Sequence, residues 1–238
     1  ADAEHKNRFE TSMLNLSVTP KFKILPNLII SEHFTYNLLN TNNKYYIPIN
    51  GVPTYYVASV NANRENLVAS KTSRQNSLQS DTRLSWKNQY DAHSVSVFGG
   101  MRMMFENYNS SAPSGYNTGS DKTPFLSNGL LNVDAAGVDE SWRSIDAYAQ
   151  GNYNYRGRYY AQVNLTASSS SRFGKNRNGG AIKFGGVPWG IFPAVQLGWI
   201  MTNESWMANV KGIDYLKLTG GYDVSGNDDV SLTAARSY

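Results

Sequence analysis

Residues 144–168 constrain the fold most, because side-chain polarity alternates there with a period of two. At 159, 161, 163, 165 and 167 stand Tyr, Ala, Val, Leu and Ala, and between them lie Tyr160, Gln162, Asn164 and Thr166. In the preceding segment Ile145, Ala147, Ala149, Gly151, Tyr153 and Tyr155 share one face. Ser144, Asp146, Tyr148, Gln150, Asn152 and Asn154 share the other. Successive side chains of a strand point to opposite faces, so period two predicts two strands with one apolar face each. The "YRGR" between them predicts a tight turn, with Gly157 supplying a positive φ.

The same pattern recurs along the chain. Leu14, Leu16 and Val18 alternate with Asn15, Ser17 and Thr19, and "KILPN" turns into "LIISEHFTYNLL". Leu78, Leu84 and Trp86 alternate with Gln79, Asp81, Arg83 and Lys87, and after a short "QYDAH" turn come Val95, Val97, Gly99, Met101, Met103 and Phe105. Ile191, Pro193, Val195, Leu197, Trp199 and Met201 share a face, and a connector, "NESWMANVKG", leads to Leu216, Leu218, Gly220, Tyr222 and Val224. About eight strands of roughly 10 to 14 residues result, longer than the usual ~5–6 and suited to a tilted membrane-spanning β-barrel.

The connections alternate in length. Short ones fall near 21–27, 88–92, 155–158 and 203–212, and long ones near 40–72, 107–141 and 168–189, with another beginning near 225. This predicts short turns at one end and long polar loops at the other, the layout of an outer-membrane barrel. An unpartnered polar group in hydrocarbon costs several kcal/mol. The Ala/Val/Leu/Tyr face is therefore expected to meet lipid and the Gln/Asn/Asp/Thr face to line a wet lumen. Tyr153, Tyr155, Tyr159, Trp142 and Trp199 near strand ends fit interfacial girdles. The competing reading is a soluble β-protein that buries one face.

Composition excludes several classes. The chain has no cysteine, hence no disulfide, thiolate metal site or thiol nucleophile. Net charge is +4 with no dense Lys/Arg cluster, so nucleic acid is not an expected partner. "ADAEHKNRFE" is not a signal peptide, and no apolar run is long enough for a spanning helix. His5 lies in the N-terminal tail, His33 in mid-strand on the polar face and His93 beside a short turn. No GxSxG is present, and nothing joins the three into a catalytic or metal site. Asp223, Ser225, Asn227 and Asp229 echo a calcium loop, but Asp228 stands where Gly is required and Ala234 where Glu is, so 223–229 is expected to be a plain solvated loop. The sequons at Asn15, Asn109, Asn164 and Asn203 arise by chance at this Asn and Ser content, and "SRFGKNRNGG" lacks the order of a phosphate-binding loop. No catalytic, cofactor or metal residue is expected, and ligand-binding residues are unassigned.

Three motifs in order carry a resemblance. "YNYRGRYYAQVNLTASSSSRFGKN", "IFPAVQLGWIMTNESWM" and "IDYLKLTGGYDVSGNDD", spanning 142–229 together with Trp142, resemble segments of the SusC/RagA family of TonB-dependent outer-membrane transporters. "HSVSVFGGMRMM" is similar to a family strand upstream, whereas residues 1–70 match only in style. The chain departs from the family before the serines and by inserting "AIKFGGVPWG". The resemblance implies an all-β fold: residues 1–238 as part of one antiparallel transmembrane barrel of about 22 strands, without its plug. It reads as a fragment of a longer chain. The resemblance further implies a bacterial outer-membrane location, a SusD-like surface lipoprotein as lid, TonB acting through the plug and no covalent chemistry. Oligosaccharide or peptide would be the cargo, and transporter–lid pairs could dimerise. A passive porin or small free-standing barrel, and a soluble carbohydrate-binding module, are the alternatives. "NNKYYIPINGVPTYY" (42–56) is expected to contact the lid or other loops in preference to stacking on sugar. "SSSSRFGKN" (168–176) marks where a strand leaves the outer leaflet, with Arg172 and Lys175 facing headgroups, lid or cargo.

Overall fold

The alternating segments all form strands. In the computed structural model, which describes residues 5–51, 55–58, 61–127, 129–173, 182–184 and 187–226, β1 is Lys6–Val18, β2 Lys21–Leu25, β3 Leu28–Ile47, β4 Tyr55–Val57, β5 Ala62–Arg64 and β6 Leu67–Tyr90. Then follow β7 (His93–Tyr116), β8 (Leu131–Tyr155), β9 (Tyr159–Ser170), β10 (Ile182–Phe184), β11 (Val187–Ile200) and β12 (Lys217–Asp223). Ten of these make one sheet in the order β1-β3-β6-β7-β8-β9-β11-β10, with β2 also on β3 and β12 also on β11, while β4 and β5 pair separately. Each long strand pairs with the next in sequence, as an antiparallel meander does. Among the described residues no pairing closes the sheet.

Chain contacts divide into two compact units. One comprises Ala1–Leu16, Tyr36–Ser77 and Glu106–Ser141, the other Ser17–Thr35, Leu78–Phe105 and Trp142–Tyr238. The second holds the tight turns. At the β8–β9 turn, Arg156 (φ 53) and Gly157 (φ 67) are both left-handed, and Asn154 Oδ1 accepts from the Gly157 amide at 2.8 Å. The register of β8 on β9 runs unbroken from Ser144↔Ser170 to Tyr155↔Tyr159. β11 runs against β9 from Gly190↔Ser168 to Trp199↔Tyr159. Pro193 sits in β11 where the β12 ladder ends at Ala194↔Asp223, and its carbonyl still accepts the Val224 amide at 3.0 Å.

Four of the expected connections need correction. The polar stretches 40–72 and 107–141 are largely strand, because β3 runs to Ile47, β6 starts at Leu67, β7 runs to Tyr116 and β8 starts at Leu131. Both faces are polar there, so alternation vanishes while the backbone ladder persists. Residues 21–25 are strand β2, so that turn is only Pro26 and Asn27. Part of 168–189 also pairs: β10 joins the start of β11 from Ile182↔Trp189 to Phe184↔Val187.

Exposure is inverted relative to a water-soluble domain. Buried apolar residues among those described are Tyr46, Val68, Ile200 and Met207, whereas Val163 (55% exposed), Leu165 (48%), Val195, Leu197, Val97 and Met101 lie open. Gln162, Asn164 and Thr166, on the opposite face of β9, are half-buried. No described helix is long and apolar enough to cross a membrane.

Candidate functional site

The polar face of the second unit is a continuous hydrogen-bonding surface. Even positions of β7, β8, β9 and β11 and odd positions of β12 converge on a cavity of about 310 Å³ lined by Ser96, Asn152, Tyr160, Gln162, Gln196 and Lys217, among others. Asn152 donates to Ser96 Oγ at 3.1 Å and accepts from Gln150 at 2.9 Å. Lys217 Nζ stands 5.5 Å from the centre of the Tyr160 ring. It reaches there across Gly198, where a Cβ would lie 3.2 Å from Lys217 Cε. Farther along the face, Tyr148 donates to Asp81 and Arg102 Nη2 meets the same carboxylate at 3.1 Å. Gly100 makes this possible, since a Cβ there would sit 2.8 Å from the Tyr148 hydroxyl. The lining offers carboxamides, hydroxyls and one ammonium, groups that bind water and hydrophilic solutes without reacting with them.

Sequence reasoning placed Tyr155, Tyr159 and Trp199 in a girdle but missed what holds them. Glu204, 8% exposed, accepts from the Tyr159 hydroxyl at 2.7 Å and from Trp199 Nε1 at 3.0 Å, and pairs with Arg158 Nη1 at 3.0 Å. The Tyr159 hydroxyl above all, then the Trp199 indole, holds the Glu204 carboxyl below its usual range. The rings follow in series, Tyr155–Tyr159 and Tyr159–Trp199 at 6.3 Å each and Trp199–Trp206 edge-on at 6.4 Å. Asn203 Nδ2 donates to the Gly157 carbonyl at 2.7 Å and ties this connection to the β8–β9 turn. The "NESWM" segment thus serves as a clamp, and the one signal for it was a lone acidic residue in a short connection between Trp199 and Trp206.

The first unit has its own polar centre. Asn66 is 1% exposed, and its Nδ2 donates to Thr118 Oγ1 at 3.0 Å and to Tyr46 Oη and Asp121 Oδ1 at 3.3 Å each. Its Oδ1 accepts the Thr118 amide at 2.9 Å. Tyr46 donates to Asp121, which also accepts the Ile49 amide at 3.2 Å. Burial first, then the Asp121 carboxylate, pushes the Tyr46 hydroxyl up to about 12. The same bond holds Asp121 below its ordinary value. Within 42–56, Tyr46 therefore packs against the β7–β8 connection, while Tyr55 and Tyr56 are exposed on β4 and 52–54 lie outside the described residues.

The histidines stay apart. His33 bonds Thr19 at 2.7 Å and Thr35 at 3.0 Å, His93 bonds the Tyr153 hydroxyl at 2.7 Å, and His5 meets the Tyr45 ring edge-on. In the serine run, Ser169 donates to the Pro188 carbonyl at 2.9 Å and Ser171 Oγ accepts the Arg143 amide at 3.0 Å. Arg172 lies 4.3 Å over the Trp142 ring, and Lys175 is outside the described residues. Of the 223–229 loop, Asp223 and Ser225 are exposed and 227–229 are outside the described residues.

Comparison with known proteins agrees with this geometry. No family model matches the chain. Over 100 residues, 42% of this chain and 9% of the relative, it is 33% identical to TonB-dependent receptor P39 of Formosa agariphila. Over 86 residues, 36% of this chain and 8% of the relative, it is 27% identical to TonB-dependent receptor SusC of Bacteroides thetaiotaomicron. The matches thus span less than a tenth of either curated relative. The structure of the RagAB peptide transporter superposes with a TM-score of 0.78 at 14% identity, covering 96% of this chain and 24% of that one. The RagAB peptide importer in its open-open state gives 0.77 at 15% identity over the same shares. The chain is similar in sequence to TonB-dependent receptors, SusC among them, and has the fold of a β-barrel segment from a transporter of that kind.

Proposed function

We propose that residues 1–238 form part of the barrel wall of a TonB-dependent outer-membrane importer. One observation carries the reading: apolar rows lie open on one face of the sheet while amides and hydroxyls are half-buried on the other. Water would reject that arrangement, and a bilayer around a wet lumen stabilises it. In this reading a plug elsewhere in the parent chain couples to TonB, and a SusD-like surface lipoprotein covers the loops. Oligosaccharide or peptide passes along the polar face, and the parent protein pairs into dimers. The carboxamide-rich lining around Asn152, Gln162 and Gln196 suits either cargo. The segment does no covalent chemistry; it binds and guides.

Uptake measurements test this. In cells that rely on the parent protein, import of labelled oligosaccharide or peptide is expected to cease when a protonophore collapses the proton-motive force or when TonB is deleted. Undiminished entry under both conditions would instead identify a passive pore.

A further inference from the structure

A second cavity opens on the polar face of the second unit, about 610 Å³ in volume, and its charged lining is all of one sign. Arg83 and Lys87 stand at odd positions of β6, the face that also carries Ser85. From β7 come Ser96 and Phe98, and from β8 comes Asn152, which donates to Ser96 Oγ at 3.1 Å. No Asp or Glu lines the cavity among the described residues. Both cations are exposed, and neither takes part in an ion pair among the described residues. Asp81, on the same face as Arg83, is already occupied by Arg102 Nη2 at 3.1 Å and by the Tyr148 hydroxyl. The Arg83 guanidinium lies 3.7 Å over the Phe98 ring, and that ring meets Tyr148 edge-on at 6.4 Å. The ring covers one face of the guanidinium and fixes its place, while the N–H fork stays available to an anion. Lys87 stands about 13 Å farther along the strand. Through Ser96 and Asn152 the cavity continues into the carboxamide-lined one, where Lys217 is a third cation outside any ion pair among the described residues.

We propose that this cavity binds carboxylate groups of the cargo and makes the importer selective for acidic cargo, a proposal that rests on the reading of this face as the wet lumen. Arg83 pairs with one carboxylate through its fork, and Lys87 attracts a second as a point charge. Ser85, Ser96 and Asn152 bond the hydroxyls or amides between them. A neutral solute would use those hydroxyls and the carboxamide but neither cation. Carboxylate is the anionic group that both kinds of cargo can present, an oligosaccharide as uronic acid and a peptide as acidic side chain or C-terminus. The same recognition chemistry therefore serves either source.

The test uses the full-length parent protein in detergent, titrated calorimetrically with oligogalacturonate and its neutral methyl ester, and with oligoglutamate and oligoglutamine. One acid of the two is expected to bind, which identifies the source, and its neutral counterpart should bind about tenfold more weakly. Arg83→Gln should remove most of that preference, Lys87→Gln part of it, and added salt should weaken the acid alone. Heat-modifiable migration of each variant shows that it is folded. The bound acid should also slow labelling of Ser85→Cys by a water-soluble maleimide. No binding of either acid, equal binding of the neutral counterpart, or an affinity indifferent to both Arg83→Gln and Lys87→Gln would overturn the proposal. Ser85→Cys that resists the maleimide without ligand would overturn the lumen reading itself, whereas a labelled Ser85→Cys with no preference for acid overturns this proposal alone.

Discussion

At the scale of single residues, buried polar groups are placed where connections must be held. Asn66 bonds four groups at once: the Tyr46 and Thr118 hydroxyls, Asp121 and the Thr118 amide. Asn66→Ala leaves the Thr118 amide without its acceptor, at a cost of about 1–3 kcal/mol. Hydrogen exchange at that amide should accelerate accordingly, and unchanged protection would show that the centre is redundant. The same centre has a pH window. Asp121 is held below its ordinary value, so its contribution is present above the unfolded-chain pKa of 3.8 and is lost as pH falls through the folded value. Tyr46 is raised from 10.0 to about 12, so its contribution is present below 10 and is lost as pH climbs toward 12. Protease nicking of the connection after Tyr116, measured against pH, should be slowest between these limits. None of this was legible in the sequence. An Asn and an Asp 55 residues apart carry no local sign that they meet.

At the scale of elements, the strands that alternate were readable and those that do not were not. β9 and β11 were visible because lipid on one side and water on the other imposes period two. The outer halves of β6 and β7 read as loop because both of their faces are polar. β10 is three residues long and too short to show a period. The faces make a sharp prediction. Leu165→Arg turns a charge toward hydrocarbon and should cost about 2–4 kcal/mol near the bilayer midplane. Asn164→Arg, one residue away on the polar face, should cost little. Urea-induced unfolding in vesicles measures both, and equal costs would contradict the assigned faces. Glu204→Ala should release Arg158, Tyr159 and Trp199 together. Trp199 fluorescence would then shift toward the solvent-exposed range, while an unaltered spectrum would mean that ring stacking alone holds the girdle.

At the scale of the molecule, the described strands pair as a meander whose apolar face needs hydrocarbon. That much is legible in the alternation and the strand length. The sequence could not show the hydrogen-bonded centres or the clamp at Glu204, because each joins residues far apart along the chain. The central claim is that two faces of one strand see two solvents. Residues 1–238 contain no cysteine, so with any cysteine elsewhere in the parent protein replaced by serine, single cysteines can be introduced along β9 at 162 to 166. In intact outer membranes a small water-soluble maleimide should label Gln162→Cys, Asn164→Cys and Thr166→Cys. Val163→Cys and Leu165→Cys should resist it and, once carrying a fluorophore, be quenched by lipid-borne nitroxides. Uniform labelling, or alternation of the opposite phase, would contradict the account.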